Sequence, residues 1–264
     1  MSVQSEIERI SGKVSESLAK VAAKGVTVPD GAGVNELPGL IESISGSGGS
    51  SGGSSEVLDA LIDRSITEIS NDNVTSIGFY AFAYCMNLTT VDLPACESIG
   101  AVAFGYCINL TTVVFPAATN IGPSAFAQCT GLTTVDLPVA TSIGIGAFQG
   151  SGLTTVVFPA ATSIGDDAFS QCTGLTTVDF PVATSIGNNT FRSCTGLTAL
   201  ILRSTEQACT LSHTNSFIDT PIATGTGYIY VPAALVDSYK AATNWTTYAD
   251  QIRAIEDYPD ICGG

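Results

Sequence analysis

The chain has 264 residues, with 9 Lys and Arg against 24 Asp and Glu and 1 His, for a formal net charge of −15. That sign argues against nucleic acid as a partner, because phosphate is neutralised by clustered Lys and Arg. No stretch approaches the ~20 apolar residues of a membrane helix, so no membrane insertion is expected. Only 12% of residues are charged while 45% are apolar, a balance unlike that of a typical enzyme, and the length allows one or two domains.

In chain order, Met1 to Ile10 lacks the apolar core of a signal peptide, so synthesis in the cytoplasm without export is expected. Val3, Ile7, Ile10, Val14 and Val21 follow a/d spacing, with Ser17 as the polar exception. This predicts a helix stopped by Gly25 and Pro29, followed by a second short amphipathic helix near Leu37 to Ile44. Two readings of 1–44 stand: a hairpin that packs on itself, or a docking segment that forms a homotrimer through residues 3–24. Residues 22–41, Ala-Ala-Lys-Gly-Val-Thr-Val-Pro-Asp-Gly through Leu-Pro-Gly-Leu-Ile, resemble the N-terminal segments of tail-fibre and other appendage proteins of phages that infect gut bacteria. That resemblance implies a virion-associated protein. Residues 45–55 are only Ser and Gly, a flexible tether between 1–44 and a second unit, 56–264.

The second unit is a repeat. An Ile-Gly pair recurs at Ile77, Ile99, Ile121, Ile143, Ile164 and Ile186, in steps of 22, 22, 22, 21 and 22. Phe82, Phe104, Phe126, Phe148, Phe169 and Phe191 keep the same steps, and so do Leu88, Leu110, Leu132, Leu153, Leu175 and Leu197 with the short step one place earlier. One residue is therefore missing between Phe148 and Leu153. In five of the six units a Leu-Thr-Thr-Val-x-(Leu/Phe) segment reads as a strand, each ended by a proline: Pro94, Pro116, Pro138, Pro159 and Pro181. The Ile-Gly pair reads as a turn inward. Ala103, Phe104 and Cys107 have the i, i+1, i+4 spacing of one or two helical turns. A lone unit buries too little to offset the ordering of its backbone, so neighbours must stack as a solenoid.

The pattern Leu-Thr-Thr-Val-x-(Leu/Phe)-Pro…Ser-Ile-Gly-x-x-Ala-Phe-x-x-Cys resembles the BspA-type (Treponema-type) leucine-rich repeat. It implies an α/β repeat fold, a leucine-rich-repeat solenoid with a parallel β-sheet on its concave face. It further implies adhesion or binding of a protein or cell-surface glycan, without enzymatic activity and without catalytic residues to transfer. The caps fit that frame. Val57, Leu58, Leu61 and Ile62 suggest a short helix in an N-cap, 56–76, ahead of a degenerate first strand at Ile66 to Ile69. The C-terminal cap is 203–264. Within it, 203–226 reads as an irregular loop or insertion and Ile229 to Pro232 as the eighth and last strand. Ala233 to Ala242 and Thr247 to Ile255 read as closing helices, with Leu235, Val236, Tyr239, Trp245, Tyr248 and Ile252 as their apolar face.

Candidate chemistry is sparse. Cys85, Cys107, Cys129, Cys172 and Cys194 share one repeat position and read as a buried stack. With no C-x-x-C pair and His213 as the sole histidine, no metal site is expected, and no cofactor. Cys262 near the terminus is open to exposure. Asp166 and Asp167 read as a helix start rather than a catalytic dyad. The concave face is more informative. Outward rows should run Thr90, Thr112, Thr134, Thr155, Thr177 and Asp92, Val114, Asp136, Val157, Asp179, then Ile201. Acidic and aliphatic residues alternate in the second row. That alternation either relieves repulsion between stacked carboxylates or forms a mixed binding stripe. A second candidate is an aromatic patch of Phe79, Tyr80, Tyr84 and Tyr106 on the turn and convex side, which either packs against the N-cap or anchors a partner.

Overall fold

A computed structural model describes residues 64–262. The expected helices of 1–44, the tether and the Val57–Ile62 cap lie outside the described residues. The rest is a stack of coils joined by parallel ladders. Strands Glu68–Ser70, Thr90–Asp92 and Thr112–Val114 form one sheet on the concave side. Strands Thr155–Val157, Thr177–Phe180, Ala199–Leu202, Tyr228–Val231 and Ile252–Ala254 form another in line with it. Between them lies one rung outside both sheets, tied to the first by a single bridge, Val114 to Asp136, and to the second by the Thr154 N–H, which donates to the Thr133 carbonyl at 3.1 Å. Val135 is accordingly half-exposed, whereas Val91, Val113, Val156 and Val178 at the same position are buried. This interruption sits beside the coil that lacks one residue.

The Ile-Gly pairs are not simple turns. Ser76–Ile77, Ser98–Ile99, Asn120–Ile121, Ser142–Ile143, Ser163–Ile164, Ser185–Ile186 and Thr210–Leu211 form a continuous seven-stranded parallel sheet. From Ile99 to Ile186 the glycine that follows each of these isoleucines lies against the previous coil. A Cβ on Gly122 would stand 2.7 Å from the backbone carbon of Gly100 and 2.7 Å from the Ile99 oxygen. Glycine is therefore required here by close approach of two backbones.

The Ala-Phe-x-x-Cys arcs are hydrogen-bonded turns, not helix. Each bends through residues in the left-handed region, among them Tyr80, Tyr84, Val102, Tyr106, Gln128 and Gln171. This conformation turns alternate N–H groups toward the next coil. Tyr80, Phe82 and Tyr84 donate to Ala101, Ala103 and Gly105 at 3.0, 2.8 and 2.8 Å. A helix would spend those donors within its own turn. The fourth coil has Gly150 at this left-handed position, with φ 65°.

Stacking puts like on like. Phe82, Phe104, Phe126, Phe148, Phe169, Phe191 and Phe217 form a spine with neighbouring ring centroids 5.3 to 5.8 Å apart. Thr111 and Thr176 each reach back one coil, donating to the carbonyls of Thr89 and Thr154 at 3.1 and 3.0 Å. Thr141 and Thr184 do the same on the second sheet. Much of the chain's threonine thus serves the stack.

Two expectations for the C-terminal part change. Residues 203–226 are not an irregular insertion. Leu211 pairs with Ile186, and Phe217 extends the spine, so this stretch is another coil. The second expected closing helix, Thr247 to Ile255, ends early. Ile252–Ala254 is a ninth rung, paired with Ile229, Tyr230 and Val231. Tyr239, Trp245, Tyr248 and Ile252 are buried as expected, and the Trp245 indole N–H donates to the Cys209 carbonyl at 2.7 Å.

Replacing Phe126 by Ala should cost about 3–5 kcal/mol. Gly122→Ala should cost about 1–3 kcal/mol because the atoms it meets are backbone. Thr111→Val should cost about 1 kcal/mol, one neutral hydrogen bond. Urea titration checks this order, read as shifts of midpoint at constant slope.

Candidate functional site

The concave rows form as the strand alternation requires. Thr90 pairs with Thr112 and Thr155 with Thr177, while Asp92 pairs with Val114 and Val157 with Asp179. All of them point away from the core. Val114 and Val157 are 38% and 48% exposed, and Thr112, Thr134, Thr155 and Asp136 are exposed as well. The stripe therefore holds from Thr90 to Val157.

Its far end is different. Asp179 is taken up by Arg203, whose Nε lies 3.0 Å from both carboxylate oxygens and whose Nη2 lies 2.8 Å from Oδ2. Arg203 also donates to the carbonyl oxygen of Cys262. Ile201 in the same row is buried, and so is Ala199 in the threonine row. Cys262, expected to be open to exposure, is buried against them. The C-terminal residues lie over this end of the face. Nothing in the local sequence around Asp179 signals this, since Arg203 is 24 positions further along and the Cys262 that Arg203 also bonds is 59 positions beyond that.

The aromatic patch also assembles. Tyr84 and Tyr106 stack with centroids 4.8 Å apart and planes 12° from parallel. Phe79 and Tyr80 meet at 4.4 Å. Burial and then Tyr106 push Tyr84 up to about 12, and the same two causes raise Tyr80. Phe79 and Tyr106 are 37% and 40% exposed, and Met86 and Ile108 beside them are exposed as well. Met86 and Ile108 belong to this surface although residue type alone did not single them out; their shared place after the repeat cysteine is the signal. Arg64 closes the N-terminal side, donating to the Ala83 carbonyl.

The repeat profile described as the BspA type leucine rich repeat region matches residues 62–162 and 141–224, in 6 copies. The chain belongs to this family. Among solved structures it is similar to a leucine-rich repeat protein from Bacteroides ovatus, at 25% identity over 62% of this chain and 47% of that one, with a TM-score of 0.49. It is also similar to a leucine rich cell surface protein from Faecalibacterium prausnitzii, at 22% identity over 63% of this chain and 60% of that one, with a TM-score of 0.39. The chain thus spans about half of the first and less than two thirds of the second. No curated protein matches it.

In this BspA-type chain the repeat cysteines are core. The thiols of Cys107, Cys129, Cys172 and Cys194 donate to the carbonyls of Phe82, Phe104, Phe148 and Phe169 at 3.0 to 3.1 Å. Ser151 fills the position in the shortened coil and meets the Cys172 sulfur at 3.3 Å. Burial pushes Cys129 up to about 12 and Cys172 up to about 11, and raises Cys85, Cys107 and Cys194 as well. Neutral thiols bonded to carbonyls are poor metal ligands and poor nucleophiles. Among the described residues, no group of three or more His, Cys, Asp or Glu comes together to hold a metal. Asp166 and Asp167 do not start a helix. Asp167 is left-handed at φ 55°, and the Asp166 carboxylate accepts from the Asn188 N–H of the next coil at 2.7 Å.

The raised thiols fix a pH dependence. Above the ordinary thiol value of 9.0 the unfolded chain releases protons that the folded chain keeps. Stability is therefore full below that value and falls as pH rises through it. Denaturant midpoints at about pH 8 and about pH 10.5 should show the loss. An unchanged midpoint would mean that the thiols titrate normally in the fold.

Proposed function

We propose that the chain is a non-enzymatic binding module whose concave stripe, from Thr90 to Val157, takes a protein or glycan of a bacterial surface. One observation carries this. Val114 and Val157 are exposed aliphatic side chains that do not serve the core, and Val114 is set between the carboxylates of Asp92 and Asp136. Relief of repulsion between stacked acids needs only an uncharged spacer, and threonine would serve. Exposed valine adds apolar contact area instead. Two strand spacings separate the carboxylates by ~10 Å, which suits a partner carrying cationic groups on either side of an apolar one.

The test is a panel of whole gut-bacterial cells and a glycan array, probed with the full chain. Wild type should be retained, and more weakly at high salt. Asp92→Lys with Asp136→Lys, and separately Val114→Glu, should each cut retention at least ~10-fold, a loss of about 1.4 kcal/mol. Stability should stay within ~0.5 kcal/mol in both. Retention indifferent to all three positions would reject the stripe.

A finer reading makes the protein a phage or prophage appendage, with 3–24 as a trimeric docking segment and the solenoid as the receptor-binding head. Its support is the resemblance of residues 22–41 to appendage proteins. Mass spectrometry of purified virions should then find the chain, and sedimentation should give a trimer. A bacterial interaction scaffold or surface adhesin is the alternative, and a monomer absent from particles would favour it.

A further inference from the structure

The concave face changes character after Asp179. From Thr90–Asp92 up to that point the rungs present threonine in one row and aspartate or valine in the other. The next two rungs present Ala199, Ile201, Tyr228 and Tyr230 in the same rows. Those side chains form a floor outside the main core. Ala199, Ile201 and Tyr230 make a separate small cluster with Cys262, flanked by Ile255 and Tyr258.

What covers the floor is residues 255–262. They leave the ladder after Ala254, the last residue paired to the sheet. From there the backbone N–H groups of Tyr258, Ile261 and Cys262 bond only inside the segment, to Ile255 and Tyr258. Pro259–Cys262 is a single helical turn. Hydrogen bonds to the body run through side chains: Arg203 donates to the Cys262 carbonyl, and the Glu256 carboxylate accepts from the Ala233 N–H at 2.9 Å. The Tyr258 ring meets Tyr230 edge-on at 5.3 Å. Asp179, which lies outside the segment, holds the Arg203 guanidinium through Nε and Nη2.

We propose that residues 255–262 are a displaceable strap in a polypeptide-binding groove, and that the groove's external partner is a second polypeptide segment, one that sets an apolar side chain on Ala199, Ile201 and Tyr230 and a backbone carbonyl on Arg203. Two features argue for release. The strap shares no ladder hydrogen bonds with the stack, and segments held by side chains alone open before ladders do. Its floor is apolar in rows that are otherwise polar and solvated, so the floor is built to be covered by some segment, and a short one is in place. The groove lies beyond the Thr90–Val157 stripe and does not depend on that stripe having a partner.

The test has two arms, both on the full chain. Native alkylation with iodoacetamide, mapped by peptide mass spectrometry, should label Cys262 at least ~10-fold faster than Cys172 and Cys194, which need the stack to open. Equal slow labelling would make the segment a fixed cap and overturn the proposal. In the second arm, Cys262→Arg sets a charge against the floor and unseats the strap. A fluorescent synthetic peptide of residues 255–264, carrying Ala in place of Cys262, should bind this variant at least ~10-fold more tightly than wild type. Adding Arg203→Met should weaken it several-fold. Continued protection of Cys194 shows that the stack is folded, and an absence of peptide binding to such a folded variant would refute the groove. Asp92→Lys with Asp136→Lys should leave peptide binding unchanged, which separates failure of this groove from failure of the stripe.

Discussion

The stack formed by the described residues follows from one spacing, the distance between successive coils. It is set where two backbones meet, at the glycine that follows each isoleucine, and it is held by parallel hydrogen bonds on two sheets and across the arcs. Once that distance is fixed, each side chain lies on its own copy. A position must then accept itself as a neighbour. Phenylalanine does so by offset stacking, threonine by bonding back to the coil before it, and cysteine by a weak S–H···O bond that leaves it neutral. Like charges do not, because at one strand spacing they repel. The low charge content is the composition that such stacking permits.

The same rule explains the outward rows. Asp92, Asp136 and Asp179 are each separated by an aliphatic residue, and the first two face solvent without a described ion pair. Asp179 marks a boundary. Beyond it the rows turn apolar, and the fork of Arg203 neutralises the last carboxylate before the covered rungs. Burying that carboxylate at the edge of an apolar cluster without a cation would be costly. The pair therefore belongs to the construction of the covered end, and only the acids before it remain for a partner.

How much could be read from the residues depended on how far each contact reaches. The spine, the strand positions and the cysteine stack were legible because stacking writes the same residue every 22 positions. The second sheet was not, since two-residue strands carry no alternation to detect. The coil containing Phe217 escaped because it lacks the Ile-Gly mark and lies 26 residues after Phe191. Tyr248 and Ile252 have helical spacing, which hid the strand Ile252–Ala254; pairing with Tyr228–Val231 overrides that local preference. The arcs misled for a related reason. Their inward residues have helical spacing, yet left-handed residues such as Tyr84 and Tyr106 spend the backbone donors on the next coil. At the candidate site, the rows and the aromatic patch followed from alternation and register. The cover over Ala199 and Ile201 did not, because Arg203 and Cys262 meet across 59 positions with no periodicity to link them.

The break in the concave ladder has a mechanical meaning. Between Thr112–Val114 and Thr155–Val157 the concave ladder is reduced to the bridge from Val114 to Asp136 and the bond from the Thr154 N–H to Thr133, while the seven-stranded sheet and the phenylalanine spine run past the same level unbroken. A rod fastened on one side and loosely laced on the other yields in a single direction. Tension between the ends of this solenoid would part the concave lacing first, at the shortened coil, and the unbroken sheet would act as the hinge leaf. The two halves of the stripe, with Asp92 on one and Val157 on the other, would then change their angle without either half unfolding. The stack is thus joined less tightly on one side than on the other at the level where the repeat is one residue short.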